Sequence, residues 1–170
     1  DPEKAKWFNQ QHLRKKSNTD LAKLMQENCE FNVSMIYLEK VAELMKERAT
    51  FHKDLISEKY FFKSFENFDE KTFKKKWKSD TISLLNEFFA KLNEDSTFNS
   101  ESIEVIFKDF INEKDIGMGA ILPCIRLVLT GKSIGPSIFG IAEILGKKEV
   151  IKRFKEKSIF FNNLYLKKLI

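Results

Sequence analysis

Leu122–Phe154, LPCIRLVLTGKSIGPSIFGIAEILGKKEVIKRF, decides the fold of this chain. It reads as two short amphipathic helices joined by a turn rich in Gly, Ser and Pro, Gly131–Pro136, with Arg126 at the edge of the first. Ile121, Leu122, Ile125, Val128 and Leu129 form the inward face of that first helix. The second helix runs to Leu145, and a last one begins at Lys147. Alone, the stretch is compatible with plain packing.

Working back towards the start, the same pattern continues. Glu101–Asn112 carries Ile103, Ile106, Phe107 and Phe110 on one helical face. Asn93–Asn99 is polar and reads as a linker and subdomain boundary. Before it, capped by Asp69, stands a long helix to Leu92, with Phe73, Trp77, Leu84, Leu85, Phe88 and Phe89 inward and a candidate break at Ser79-Asp80. Residues 51–63 hold a further short helix or turn. A third helix is expected from Ser34 to about Arg48. Ser17-Asn18-Thr19-Asp20 makes a turn and a new cap, followed by Leu21, Leu24, Met25 and Asn28 at helical spacing. Asp1-Pro2-Glu3 is a helix start, with Asp as N-cap and Pro at the first helical position, for a helix to about Lys16. Forward, Ser158–Ile170 is apolar and fits either a final helix or a tail. There is no convincing period-two strand and no internal repeat. The expectation is all-α, with two small helical subdomains at 1–95 and 96–170.

Composition agrees. The 170 residues suit one domain or two small ones sharing a core. Six Gly and three Pro leave little material for the turns of an all-β fold, and 17 Phe point to an aromatic core. A net charge of +5 suits a polyanionic partner or a plain lysine-rich surface. Cys29 and Cys124 lie far apart in apolar helical contexts, so buried free thiols are expected rather than a disulfide, a zinc site or a nucleophile; this fits a reducing cytosol. No apolar run approaches the ~20 residues that cross a membrane. With no signal peptide and no initiator Met, the abrupt opening Asp1-Pro2-Glu3-Lys4 reads as a piece of something longer.

No catalytic constellation is visible. His12 and His52 stand apart on lysine-rich segments and read as solvated or half-buried side chains. HExxH, GxSxG, Walker and GxGxxG patterns are absent. Gly131-Lys132-Ser133 is like the tail of a P-loop without its upstream Gly. Neither a catalytic residue nor a metal ligand is assigned, so the function must be recognition.

Three features could serve it. Lys71, Lys74, Lys75, Lys76 and Lys78 surround Phe73 and Trp77, either as a solvated face or as a phosphate-contacting ridge. Tyr37, Val41, Leu44 and Arg48 follow i, i+4, i+7, i+11, which sets Arg48 on the apolar stripe of its own helix. There a charge is costly unless the helix has already ended, the arginine is paired, or it reaches a ligand. Arg126 flanks its apolar face, where an arginine can be structural or can stack on a base and bond its edge.

Three blocks carry a family resemblance. Asp1–Arg14, DPEKAKWFNQQHLR, resembles the segment after the catalytic half of bacterial glutamyl-tRNA synthetases, with His12 where the family has Tyr. Tyr37–Arg48, YLEKVAELMKER, is similar to the family helix ending LMxxR, and the Leu122–Arg153 block resembles LRLALTG…GPxLFxIxxLLGKExxxxR. About residues 60–115 are less diagnostic. The resemblance implies the all-helical, anticodon-reading half of a class I enzyme that joins glutamate to its tRNA with ATP and Mg. It also implies a piece inactive by itself, cytoplasmic and monomeric, with the anticodon arm of glutamate tRNA as partner and no DNA or membrane. A helical protein-interaction scaffold without RNA binding is the alternative.

By position, Arg48 matches the family arginine associated with the third anticodon base, C in glutamate and G in glutamine anticodons. Arg126 matches the LR arginine of the anticodon pocket. Gly135, Pro136, Ser137, Ile138 and Phe139 match the loop and helix start beside splayed bases, with Ser137 where some members have Gly. Lys74, Lys75, Lys78 and Lys132 are candidate phosphate contacts. Arg48, Arg126 and the Gly135–Phe139 turn are expected to converge on one face.

Overall fold

The computed structural model describes residues 1–169 and is helical throughout, with nine α-helices and no strand among the described residues. It divides into two compact units, Asp1–Lys63 and Ser64–Ile170. The boundary expected at 95/96 instead falls inside the second unit. The segment read as a linker is tied down by Asp95, whose carboxylate accepts from Ser102 Oγ (2.6 Å), Thr97 N (3.0 Å) and Phe98 N (3.1 Å).

The first unit contains α1 (Pro2–Lys15), α2 (Asn18–Asn28) and α3 (Met35–Met45), then two 3₁₀ turns at His52–Ile56 and Lys59–Phe61. The starts are those the caps predicted: Asp1, Ser17 and Ser34 each accept a main-chain N–H of their own first turn. α2 packs on α3 and on the first 3₁₀ turn. Leu21, Ala22, Met25, Leu38, Val41, Ala42 and Leu55 are at most 1% exposed and form its core. Asp54 closes the loop before that turn by accepting from Thr50 N (2.9 Å) and Phe51 N (2.8 Å).

The second unit contains α4 (Glu70–Lys76), α5 (Thr81–Glu94), α6 (Ser100–Glu113), α7 (Met118–Thr130), α8 (Ile138–Leu145) and α9 (Lys147–Lys168). The expected long helix is thus split at Ser79-Asp80. The ambiguous stretch from Ser158 belongs to α9 as far as Lys168; Ile170 lies outside the described residues. α7 is the centre, packed on α4, α5, α8 and α9. Its mean hydropathy is accordingly high, and buried residues occur on most of its circumference. The phenylalanines are largely core. Phe161 stacks on Phe73 and meets Trp77 at a tilt, with Phe68 edge-on to Phe73 and Phe161, while Phe89 stacks on Phe154 at 4.2 Å between centroids. Offset and edge contacts of this kind add to simple area burial.

α7 contains Pro123, which has no N–H and leaves the Gly119 carbonyl without its helical donor. Lys76 Nζ takes that role from α4 at 3.3 Å. One lysine of the basic cluster is therefore structural.

Candidate nucleic-acid interface

The turn between α7 and α8 is held from both sides. Gly131 ends α7 with φ +72°, a left-handed conformation that glycine adopts without strain. A Cβ there would stand 2.8 Å from the Asn67 carbonyl oxygen and 2.7 Å from the Phe65 ring. Asp69 N donates to the Gly131 carbonyl at 2.8 Å, so the glycine lets two backbones touch. At the other end, Arg126 Nη1 donates to the Pro136 carbonyl at 2.9 Å. Thr130 Oγ1 donates to the Arg126 carbonyl (2.7 Å) and accepts from Lys132 N (3.0 Å). The ring that results fixes Gly131–Pro136 as a shaped loop.

α8 starts on Ser137, whose hydroxyl accepts from Gly140 N at 3.4 Å. The N–H groups of Ile138 and Phe139 have no partner within their helix, as at any helix start. Pro136 and Ile138 are buried, Gly135 and Phe139 half-buried, and Ser137 exposed. The Phe139 ring lies 5.4 Å from that of Phe107, so it packs towards α6. Beside Asp69, the residues Lys132–Ile134 line an open concavity of about 330 Å³. Asp69 is the N-cap of α4, accepting from Thr72 N at 2.9 Å. That bond, with a hydroxyl bond from Ser133, holds its carboxyl below the usual range.

The other expected residues fall as follows. Lys75, Lys78 and Lys132 are exposed, and Lys74 is exposed while pairing with Glu70 at 3.4 Å. Phe73 and Trp77 are buried, as the i, i+4 pattern indicated. Arg48 belongs to the first unit, Arg126 and the turn to the second. Its placement on a buried helical stripe is corrected: α3 ends at Met45, and Arg48 sits in the following turn, its N–H on the Met45 carbonyl at 2.9 Å and its side chain exposed. Among the described residues its guanidinium makes no ion pair. No desolvation cost therefore has to be explained.

The sequence missed four features. Ile134 is 77% exposed at the tip of the turn. Arg153 is 2% exposed, bonded to Glu149 (2.9 Å) and to the Leu129 carbonyl (2.9 Å) at the end of α7. His12 and His52, read as standing apart, both line one cavity of about 380 Å³ in the first unit. Cys29 is half-buried rather than buried, while Cys124 is buried and its thiol is pushed up to about 11 by desolvation. Among the described residues no group of three His, Cys, Asp or Glu could hold a metal, and no helix is long and apolar enough to cross a membrane.

Fold and turn define the class, a purely helical binding domain. Residues 7–157 match the anticodon binding domain family, and the chain belongs to it. It is 42% identical over 94% of its length to a glutamate–tRNA ligase of Flavobacterium psychrophilum, and 37% identical over 92% to that of Flavobacterium johnsoniae. In each case it spans 32% of the relative's length, about a third. Among solved structures it is similar to a glutamate tRNA ligase of Elizabethkingia meningosepticum, with TM-score 0.83, 38% identity, and coverage of 92% of this chain and 32% of that one. The glutamate-tRNA synthetase of Elizabethkingia anophelis gives TM-score 0.80 at 37% identity, covering 94% and 32%. This membership sides with RNA recognition against the scaffold alternative.

Proposed function

We propose that this chain reads the anticodon arm of glutamate tRNA as the recognition part of a glutamate–tRNA ligase. The observation that carries the proposal is the family match across the arginine-braced turn, whose helix start offers two N–H groups beside an exposed apolar tip. Arg126 has a double role. It sets the Pro136 carbonyl, and the planar face of its guanidinium stacks on an unstacked base. Gly135–Phe139 supply the loop backbone beside that base. Arg48, exposed and without an ion pair among the described residues, reads the last anticodon position, where C and G differ. Lys75, Lys78 and Lys132, with Lys74, contact phosphates and position the RNA without reading it.

The whole enzyme attaches glutamate to tRNA with ATP and Mg in the cytoplasm. The present residues contribute selection, act as a monomer and have no ligase activity of their own. The test is binding of the chain to a tRNA with the glutamate anticodon, and to the same tRNA with the last anticodon base changed from C to G. Anticodon-dependent binding is expected. Equal affinity for both RNAs, or indifference to RNA, overturns the reading.

A further inference from the structure

α9 carries eight basic and two acidic side chains, a net of +6 against +5 for the whole chain. The other residues therefore sum to −1, and the basic balance of the protein lies on one helix. The lysines around α4 do not compete with it, because Glu66, Asp69, Glu70 and Asp80 flank them on both sides and offset most of their charge.

Several α9 cations are already engaged. Arg153 is buried against Glu149 and the Leu129 carbonyl. Lys157 donates to the Phe65 carbonyl at 2.8 Å, and Lys147 to the Asn93 carbonyl at 3.0 Å. Lys168 lies over the Phe73 ring. Lys148, Lys152 and Lys155 are different: all are exposed, and none has an anionic partner among the described residues. They stand at i, i+4 and i+7, hence on one face, over about 10 Å of helix. With Asn93 and Ile151 they line an open groove of about 640 Å³ along the end of α5, in which Glu156 is the one acid. Three like charges at this spacing repel one another and disfavour their own helix. Such an arrangement is relieved when a polyanion lies along it.

We infer that the Lys148–Lys152–Lys155 face of α9 is a second RNA contact, a phosphate-backbone clamp that adds affinity and carries no base information. The inference rests on the anticodon-arm reading for its partner. The phosphate chemistry follows from flexible, strongly hydrated ammonium groups, which suit point contacts to phosphate oxygens. Ile159 and Leu166 extend the same helical face and are 62% and 49% exposed, so an anionic lipid surface is the competing occupant.

The experiment compares the full chain with K148Q/K152Q/K155Q and K148R/K152R/K155R. Each is titrated with the two tRNAs described above over a range of salt, and with vesicles containing anionic lipid. If each lysine meets one phosphate, the glutamine variant loses affinity for both tRNAs by the same factor. Its slope of log affinity against log salt becomes shallower by about 2, and the arginine variant keeps the wild-type slope. An unchanged slope in the glutamine variant, with C/G discrimination intact in the wild type, overturns the clamp and leaves the anticodon reading standing. Loss of vesicle binding with RNA binding unaltered overturns it in favour of a lipid surface. A wild type that binds neither tRNA ends both readings. The substituted side chains are exposed, so the urea midpoint serves as the folding control.

Discussion

Arg126 Nη1 bonds the Pro136 carbonyl at 2.9 Å, ten residues away and across the whole turn. The side chain on α7 thereby dictates where the chain re-enters a helix at Ser137. A residue that looked like a reader of bases is first a builder of the loop that would read them. Those roles are compatible, because a guanidinium that bonds a carbonyl in its own plane keeps a flat face on which a base can stack.

The Arg126→Lys variant therefore separates shape from charge. It keeps the cation and loses the fork. The expected result is a loss of about 1 kcal/mol in stability, the net worth of one such hydrogen bond, read from the urea midpoint. Amide shifts at Gly135–Phe139 should accompany it. If those amides stay put while RNA affinity falls, the arginine acts on the ligand alone.

Arg48 makes the opposite prediction. It is exposed and sits outside α3, so Arg48→Ala should change stability by no more than about 0.5 kcal/mol, as surface substitutions do. Discrimination between C and G at the last anticodon base should fall by about 1–3 kcal/mol, the scale of one bidentate base contact. Equal losses for both RNAs would sink the specificity role.

These two arginines show what was legible in the sequence. Helix starts were readable, since Asp1, Ser17, Ser34 and Asp69 announce them by local chemistry. The end of α3 was not. No Gly or Pro follows Met45, and the apolar spacing runs on to Arg48 although the helix has stopped. The supposed linker at Asn93–Asn99 misled for a related reason. Asp95 and Asn99 bond the main chain and Ser102 across it and so fix its path, although Asn93, Glu94, Ser96 and Thr97 stay exposed. Arg153 was hidden more deeply, because only the packing of α9 on α7 shows that its partner is a main-chain carbonyl. The meeting of His12 and His52 at one cavity likewise depends on tertiary structure. Of the candidate site, the bond between Arg126 and the turn lies within one local stretch of sequence. The Lys148–Lys152–Lys155 face was not singled out, because a charge run on a helix takes its meaning from which lysines are already engaged.

Two glycines in one helix system should respond in opposite directions. Gly131→Ala forces a Cβ to within 2.8 Å of the Asn67 carbonyl oxygen at φ +72°. A destabilisation of more than about 1 kcal/mol is expected from the strained backbone. Gly119→Ala meets nothing within 4 Å in the first turn of α7. It should stabilise the protein by about 0.4–1 kcal/mol through the unfolded chain. Thermal unfolding of the two variants decides whether the close approach at Gly131 is a real constraint.

Arg153→Met removes a buried donor while keeping much of the volume. It leaves the Leu129 carbonyl unsatisfied in a dry environment, at an expected cost of about 1–3 kcal/mol. Glu149 is 35% exposed and can turn to solvent, so its lost partner adds little. A urea midpoint equal to wild type would mean that water reaches the carbonyl when the arginine is gone.

The last prediction concerns acid. Asp69 accepts from Thr72 N and from the Ser133 hydroxyl, and these bonds to its ionised form hold its pKa below the ordinary aspartate range. A carboxyl with a depressed folded pKa contributes stability above its unfolded pKa. That contribution fades as pH falls through the folded value. Asp69→Asn keeps a capping oxygen but cannot titrate. The stability difference between wild type and variant should be constant from pH 5 to pH 7 and shrink below about pH 4, the unfolded aspartate value. Because Asp69 joins α4 to Ser133, the amides of Lys132–Ile134 should move over the same pH range. A stability difference that does not depend on pH would mean that the cap acts through its geometry and not through its charge.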